Sequence, residues 1–267
     1  MTVQKILASD LDGTLIFQRR ISPDTVAAIN RWRAAGNIAV CATGKSIAAT
    51  QHALRTSKLQ FDYYVLYTGA VVTDGEFHIL TSHTLPNTLV LELVDALSRE
   101  PGVGVFATTL DTNDVRLSST LAPELSTDIL QHFDPMLLDD VPHHTFVGIP
   151  LWIHTGATTE ASITRIHNWI MEHYGTKVDC HRNQDFLDIV PPNCTKRSGL
   201  EWLMSYLGDS SLAGFETYSL GDSWNDIDMH RWADHSVSFP HSPDEIQTMT
   251  ETVATSAADY INEVLRQ

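Results

Sequence analysis

Cysteine is scarce in this chain: Cys41, Cys180 and Cys194 are the only three in 267 residues. They show no CxxC or other metal-ligand spacing, and an odd, sparse set fits reduced thiols in a cytoplasm. Basic residues are also few, 17 against 33 acidic ones, for a formal net charge of −16. Such a surface repels nucleic-acid phosphates and anionic lipids, so neither is an expected partner. Long apolar runs are missing, which argues against a membrane span. The N-terminus has no basic segment followed by an apolar block, so no signal peptide is expected. Internal repeats and low-complexity stretches are absent too. Histidine is plentiful, at 13 residues, but HxH and HxxxH spacings are not found. The adjacent pair His143-His144 is poorly placed to share one ion.

What remains is an ordinary globular composition, 43% hydrophobic, long enough for a full core and perhaps two domains. Its most informative stretch is Asp10-Leu-Asp-Gly-Thr-Leu15, directly after the apolar run Ile6-Leu7-Ala8. A strand alternates faces, so Asp10 and Asp12 start out pointing the same way. Close carboxylates repel unless a cation, a proton or hydrogen bonds compensate. A hard metal ion would explain keeping them, although Asp-Gly also makes ordinary turns.

The surrounding rhythm is strand, helix, strand. Ser22-Pro23-Asp24 carries an N-cap, a proline suited to the first helical position and a charge matched to the helix dipole. IAVCA at 38–42 reads as a parallel strand buried on both faces. A helix from Ser46 to about Ser57 and a strand Tyr63–Tyr67 follow. Near the C-terminus, Lys196–Leu207 reads as a helix, Thr217–Leu220 as a strand, Asn225–Trp232 as a short helix, Val237–Phe239 as a strand and Ala257–Leu265 as a closing helix. Between these halves the pattern changes to alternating runs around one clear helix, Glu160–His173, which suggests an α+β insertion. Asp10, Thr43 and Asp222 each follow an expected strand, so their loops should meet at the carboxyl edge of one sheet.

Asp10–Leu15, Ala42-Thr-Gly-Lys45, Pro192-Asn-Cys-Thr-Lys196 and Gly221-Asp-Ser-Trp-Asn-Asp-Ile-Asp-Met229, in this order, resemble the four motifs of haloacid dehalogenase superfamily phosphatases. Within that superfamily the chain is most similar to the Cof-like sugar-phosphate phosphatases, relatives of sucrose- and trehalose-phosphate phosphatases. The resemblance implies a Rossmann-like parallel-sheet core over residues 1–82 and 187–267, with an inserted α+β cap over 83–186. It implies Asp10 as nucleophile, Asp12 as general acid and then base, and Thr43 and Lys196 as catalytic partners. It implies Mg2+ held by Asp10, the Asp12 backbone carbonyl and Asp222, with Asn225 and Asp226 orienting the metal and its waters from behind. Gly13, Thr43, Gly44, Lys45 and Lys196 would bind the phosphate. The implied reaction is Mg-dependent hydrolysis of a small phosphorylated metabolite, foremost a sugar phosphate, through an aspartyl-phosphate, in a cytoplasmic monomer or weak dimer.

Some positions depart from the pattern. Lys45 stands where an arginine is usual, so a planar fork becomes a point charge. Thr68-Gly69-Ala70 replaces Asn-Gly-Ala, and Pro240-His241-Ser242-Pro243 replaces an Asn-Ala step. Trp224 could stack on a sugar or pack on the core, and Arg182 and Asn183 are candidate contacts in the insertion. Two rivals use the same residues: a phosphomannomutase-like sugar phosphomutase, and a non-catalytic sugar-phosphate-binding protein.

Overall fold

A computed structural model describes residues 4–122, 124–125, 133–208 and 214–266. The chain divides into two compact units, Met1–Thr81 with Thr195–Gln267, and Ser82–Cys194. The first stretch supplies β1 (Gln4–Ser9), β2 (Ile16–Phe17), β3 (Arg20–Ile21), α1 (Pro23–Ala34), β4 (Ile38–Ala42), α2 (Ile47–Leu54), β5 (Tyr63–Leu66), β6 (Val71–Asp74) and β7 (Ile79–Ser82). The second unit holds α3 (Asn87–Leu97), β8 (Val103–Thr109), β9 (Val115–Ser119), β10 (Asp134–Pro135), β11 (Phe146–Ile153), α4 (Thr159–Tyr174), β12 (Asp179–Asn183) and β13 (Phe186–Val190). The chain then returns through α5 (Lys196–Tyr206), β14 (Phe215–Leu220), α6 (Ile227–Trp232), β15 (His235–Ser238), α7 (Asp244–Met249), β16 (Thr252–Val253) and α8 (Ala257–Val264).

The first unit is built on one sheet in the order β16-β15-β14-β1-β4-β5-β6-β7. Its pairs from β16 to β5 are parallel, and β6 returns antiparallel to β5. β1 lies at the centre because Ile6, Leu7 and Ala8 have helices to meet on both faces. Ile6 and Ala8 pack with Val40, Val65, Leu200, Leu203 and Met204. Trp32 of α1 packs edge-on against Tyr218. The cap expected at Ser22 holds, its hydroxyl accepting from Thr25 N–H at 3.1 Å, and Ser46 caps α2 in the same way, accepting from Ala49 N–H at 3.0 Å. Each of β1, β4 and β14 ends at a motif, so the topology delivers three loops to one edge of the sheet.

The second unit is a six-stranded sheet, β10-β9-β8-β11-β13-β12, antiparallel except where β10 pairs with β9. Two features differ from the expectation. The insertion has a second long helix, α3, whose Leu89, Val90, Leu93, Val94 and Leu97 share a core with Ile163, Ile166 and Ile170 of α4. That spacing is helical, but Pro86 at its start offers no side-chain cap to announce it. The unit also ends at Cys194 rather than at 186, because β13 pairs with both β11 and β12 and cannot leave their sheet. No helix among the described residues is long and apolar enough to cross a membrane.

Candidate active site

Asp10 sits one residue past β1, and its N–H donates to the Leu220 carbonyl at the end of β14. That bond places the first motif beside the fourth. Gly13 then turns the chain with φ +74°. A Cβ there would overlap the Asp222 carboxylate, so the turn needs glycine for both conformation and space. Thr14 uses the closeness: its hydroxyl donates to Asp222 Oδ1 at 3.0 Å. His241 closes the turn from another loop, with Nε2–H donating to the Gly13 carbonyl at 2.6 Å. Gly13→Ala should therefore displace Asp222 as well as strain the turn. We expect a lower melting temperature and a loss of turnover of at least about 100-fold, measured by calorimetry and by phosphate release.

Lys196 opens α5, where Thr195 and Ser198 form a reciprocal capping box. As a Lys-Arg pair on a helix it could have been a solvated surface residue. It is instead 0% exposed. Its ammonium donates to Asp10 Oδ1 at 2.8 Å and to Asp226 Oδ1 at 2.6 Å. Asp226 is fully engaged, since its Oδ2 accepts from the N–H groups of Asp222 and Ser223 at 2.9 Å each. A Cβ at Gly221 would overlap this carboxylate, so that glycine lets the fourth loop wrap it. Below the loop, Ser219 and His230 Nδ1 share a hydrogen bond of 2.9 Å.

The other expected residues fall as follows. Thr43 follows β4, is buried, and its hydroxyl accepts from Lys45 N–H at 3.3 Å. Gly44 and Lys45 are half-buried. Lys45 Nζ is 2.5 Å from Asp12 Oδ2, so the departure from arginine bears on the second aspartate. Trp224 donates to Glu245 at 3.2 Å. In the second unit Arg182 is paired with Glu160 at 2.7 Å. His144 is paired with Asp111 at 3.1 Å. Sequence reading gave no role to Thr14, although it lies inside the first motif, nor to Tyr67, which contacts the second motif.

Oxygen atoms of Asp10, Asp222 and Asp226 lie within 4.8 Å of one another. One buried ammonium faces these three carboxylates. Burial first, and then Asp226, Asp12 and Asp222, push the Asp10 pKa upward against the pull of Lys196. Burial and Asp226 push Asp222 up to about 6, against the Thr14 hydrogen bond, Lys196 and His241. Burial alone would lower the Lys196 pKa, but Asp10 and Asp226 overcome it and hold the group charged. The site thus has surplus negative charge in hard oxygen donors. The Asn225 side-chain amide oxygen, Oδ1, is also buried with no hydrogen-bond partner among the described residues. Both observations fit a divalent cation. Asp10, Asp222 and Asp226 each bring an oxygen close enough to share such an ion.

The Asp222 shift predicts a pH signature. Its folded pKa of about 6 exceeds the unfolded value of about 3.9, so the folded state binds the proton more tightly. Without metal, this contribution to stability is greatest below about pH 4 and is lost as pH rises through 6. Relative to wild type, Asp222→Asn should melt at a similar temperature near pH 4 and several degrees higher near pH 8 in chelator. Calorimetry across that range checks it.

Residues 7–261 match the model of the haloacid dehalogenase-like hydrolases, and the chain belongs to that family. It is an enzyme of the phosphatase type. It is 26% identical to a protein of Haemophilus influenzae with a provisional phosphatase name, across 98% of this chain and 97% of that one. It is 22% identical to HMP-PP phosphatase of Serratia proteamaculans, across 92% and 87%. Among solved structures, the subclass IIB sugar phosphatase BT4131 aligns with a TM-score of 0.77 and 21% identity, over 98% of each chain. At that identity the structural likeness speaks to the fold.

Proposed function

We propose that this chain is a magnesium-dependent phosphatase that hydrolyses a small sugar phosphate through a phosphorylated Asp10. The observation that carries the reading is the wholly buried Lys196 bridging Asp10 and Asp226 beside Asp222. A structural scaffold gains little from three crowded carboxylates at the end of its sheet, whereas phosphoryl transfer needs them.

In this reading an Asp10 oxygen attacks phosphorus, and the bond to the leaving oxygen breaks as Asp12 gives that oxygen a proton. Asp12 then takes a proton from water as it attacks the aspartyl-phosphate, which frees inorganic phosphate and restores both carboxyl groups. Lys196 orients Asp10 and opposes the upward push that burial gives its pKa. Thr43 and Gly44 receive the phosphate oxygens, and Lys45 steadies Asp12. A bound Mg2+ would neutralise the carboxylates facing a phosphate dianion. Asp10, the Asp12 carbonyl and Asp222 would hold it, with Asn225 and Asp226 behind them. The inserted unit, Ser82–Cys194, is read as the cap that selects the leaving group.

The sugar-phosphate class is supported by the name of BT4131. HMP-PP, from the name of the Serratia relative, is the second substrate to test. The test is phosphate release from hexose, pentose and disaccharide phosphates and HMP-PP, with and without magnesium. The proposal expects turnover that needs magnesium and is greatest for a sugar phosphate. Isomerised sugar phosphate without phosphate release would favour a mutase, and binding without turnover would favour a non-catalytic protein.

A further inference from the structure

Between β5 and β6 the chain turns through Tyr67, Thr68 and Gly69, with φ of +51°, +52° and +94°. Consecutive left-handed residues are uncommon, and a β-branched threonine is a poor occupant of that region. Tyr67 and Thr68 are both buried, and the Thr68 hydroxyl has no hydrogen-bond partner among the described residues. The surroundings therefore impose a backbone that these residues disfavour, a pattern that clusters at functional sites.

The bonds of the turn identify what it holds. Tyr67 N–H donates to the Lys45 carbonyl at 3.1 Å, and Thr68 N–H donates to the Thr43 carbonyl at 3.2 Å. The Tyr67 phenol oxygen accepts from Ile47 N–H, at the start of α2, at 3.1 Å. All three bonds end on Thr43–Ile47, the loop of the second motif. On its other side the turn meets α5. A Cβ at Gly69 would overlap the Thr195 carbonyl, and one at Gly199 would lie 3.2 Å from the Gly69 Cα. Thr195 is the residue that caps the helix carrying Lys196.

We propose that Tyr67–Gly69 is a positioning device that sets the Thr43–Ile47 loop and the start of α5 in fixed relation, so that Thr43, Gly44 and Lys196 address one phosphate. Left-handed backbone lets successive N–H groups reach the second-motif loop, while glycine lets α5 approach closely. Tyr67 acts as a positioning residue through its phenol oxygen, without touching substrate. The inference rests on the phosphatase reading for the ligand that the loop holds.

Tyr67→Phe tests it, because the ring stays and the phenol oxygen that accepts from Ile47 N–H is lost. Inorganic phosphate with magnesium chloride is titrated into wild type and variant by calorimetry, and kcat and KM are measured on the best substrate. Ser22→Ala, which removes the α1 cap far along the chain, controls for general destabilisation. The expected result is a roughly five- to tenfold rise in phosphate Kd and in KM for Tyr67→Phe, with a smaller change in kcat. Ser22→Ala should lower the melting temperature and leave both constants alone. A Tyr67→Phe variant with wild-type phosphate Kd, or one matched by Ser22→Ala, overturns the inference. If wild type binds phosphate but hydrolyses nothing, the hydrolytic reading fails, and the calorimetric comparison still decides the role of the turn.

Discussion

Asp10→Asn should lower turnover by at least about 10⁴-fold while leaving the protein folded. The amide keeps the shape of the carboxylate and an oxygen that can accept from Lys196, which still has Asp226 as its ionic partner. What it loses is the charge and nucleophilicity that phosphoryl transfer requires. It also removes one of the crowded carboxylates whose burial pushes the Asp10 pKa upward. The variant should therefore melt higher than wild type in chelator and gain less stability from magnesium. Initial rates of phosphate release, paired with calorimetry in chelator and in magnesium, separate the two effects. A variant that loses activity by unfolding would show the opposite thermal behaviour.

Lys196→Met should be the most damaging substitution for stability. The side chain is 0% exposed and donates to two carboxylates within 2.8 Å. Replacing it by an apolar chain of similar length leaves Asp10 and Asp226 buried without their cation. Breaking a buried pair from one side costs about 3–5 kcal/mol. For a chain of this size that is a fall in melting temperature of roughly 6–20 °C. The sign with pH follows from the carboxylates. Unpaired charge is the source of the cost, and burial raises the Asp10 pKa, so the deficit should shrink in acid, where Asp10 is protonated, and be largest above neutrality. Thermal unfolding at pH 4.5 and 8, in chelator, checks magnitude and direction together. An equal deficit at both values would mean lost packing rather than lost charge.

The parts of this molecule legible from sequence are local ones. Runs buried on both faces, such as Ile6–Ala8 and Ile38–Ala42, carry few polar residues and end abruptly, so strand ends and the loops after them could be located. Motif residues at those ends then came together because a parallel sheet places its carboxyl edges side by side. The cap at Ser22 was legible for the same reason, since it involves residues three apart. What could not be read depends on distant partners. The burial of Lys196 comes from Asp10 and Asp226, 186 and 30 residues away. The left-handed turn at Tyr67-Thr68 uses residues that do not favour it, so its cause lies in the neighbouring loop and α5. The exit from the second unit at Cys194 reflects the pairing of β13 with both of its neighbours, a long-range choice between two sheets. The helix α3 is a different case, because its apolar spacing was present and only a side-chain cap was lacking.

The central claim is that Asp10 carries the phosphoryl group. The most direct test is acid quench of the magnesium-loaded enzyme within milliseconds of mixing with its best phosphate-ester substrate, followed by peptide mass spectrometry. The account predicts one added phosphoryl group on the peptide containing Asp10, absent in Asp10→Asn and gone after the substrate is exhausted. Turnover without any labelled aspartate, or a label on another residue, would contradict it.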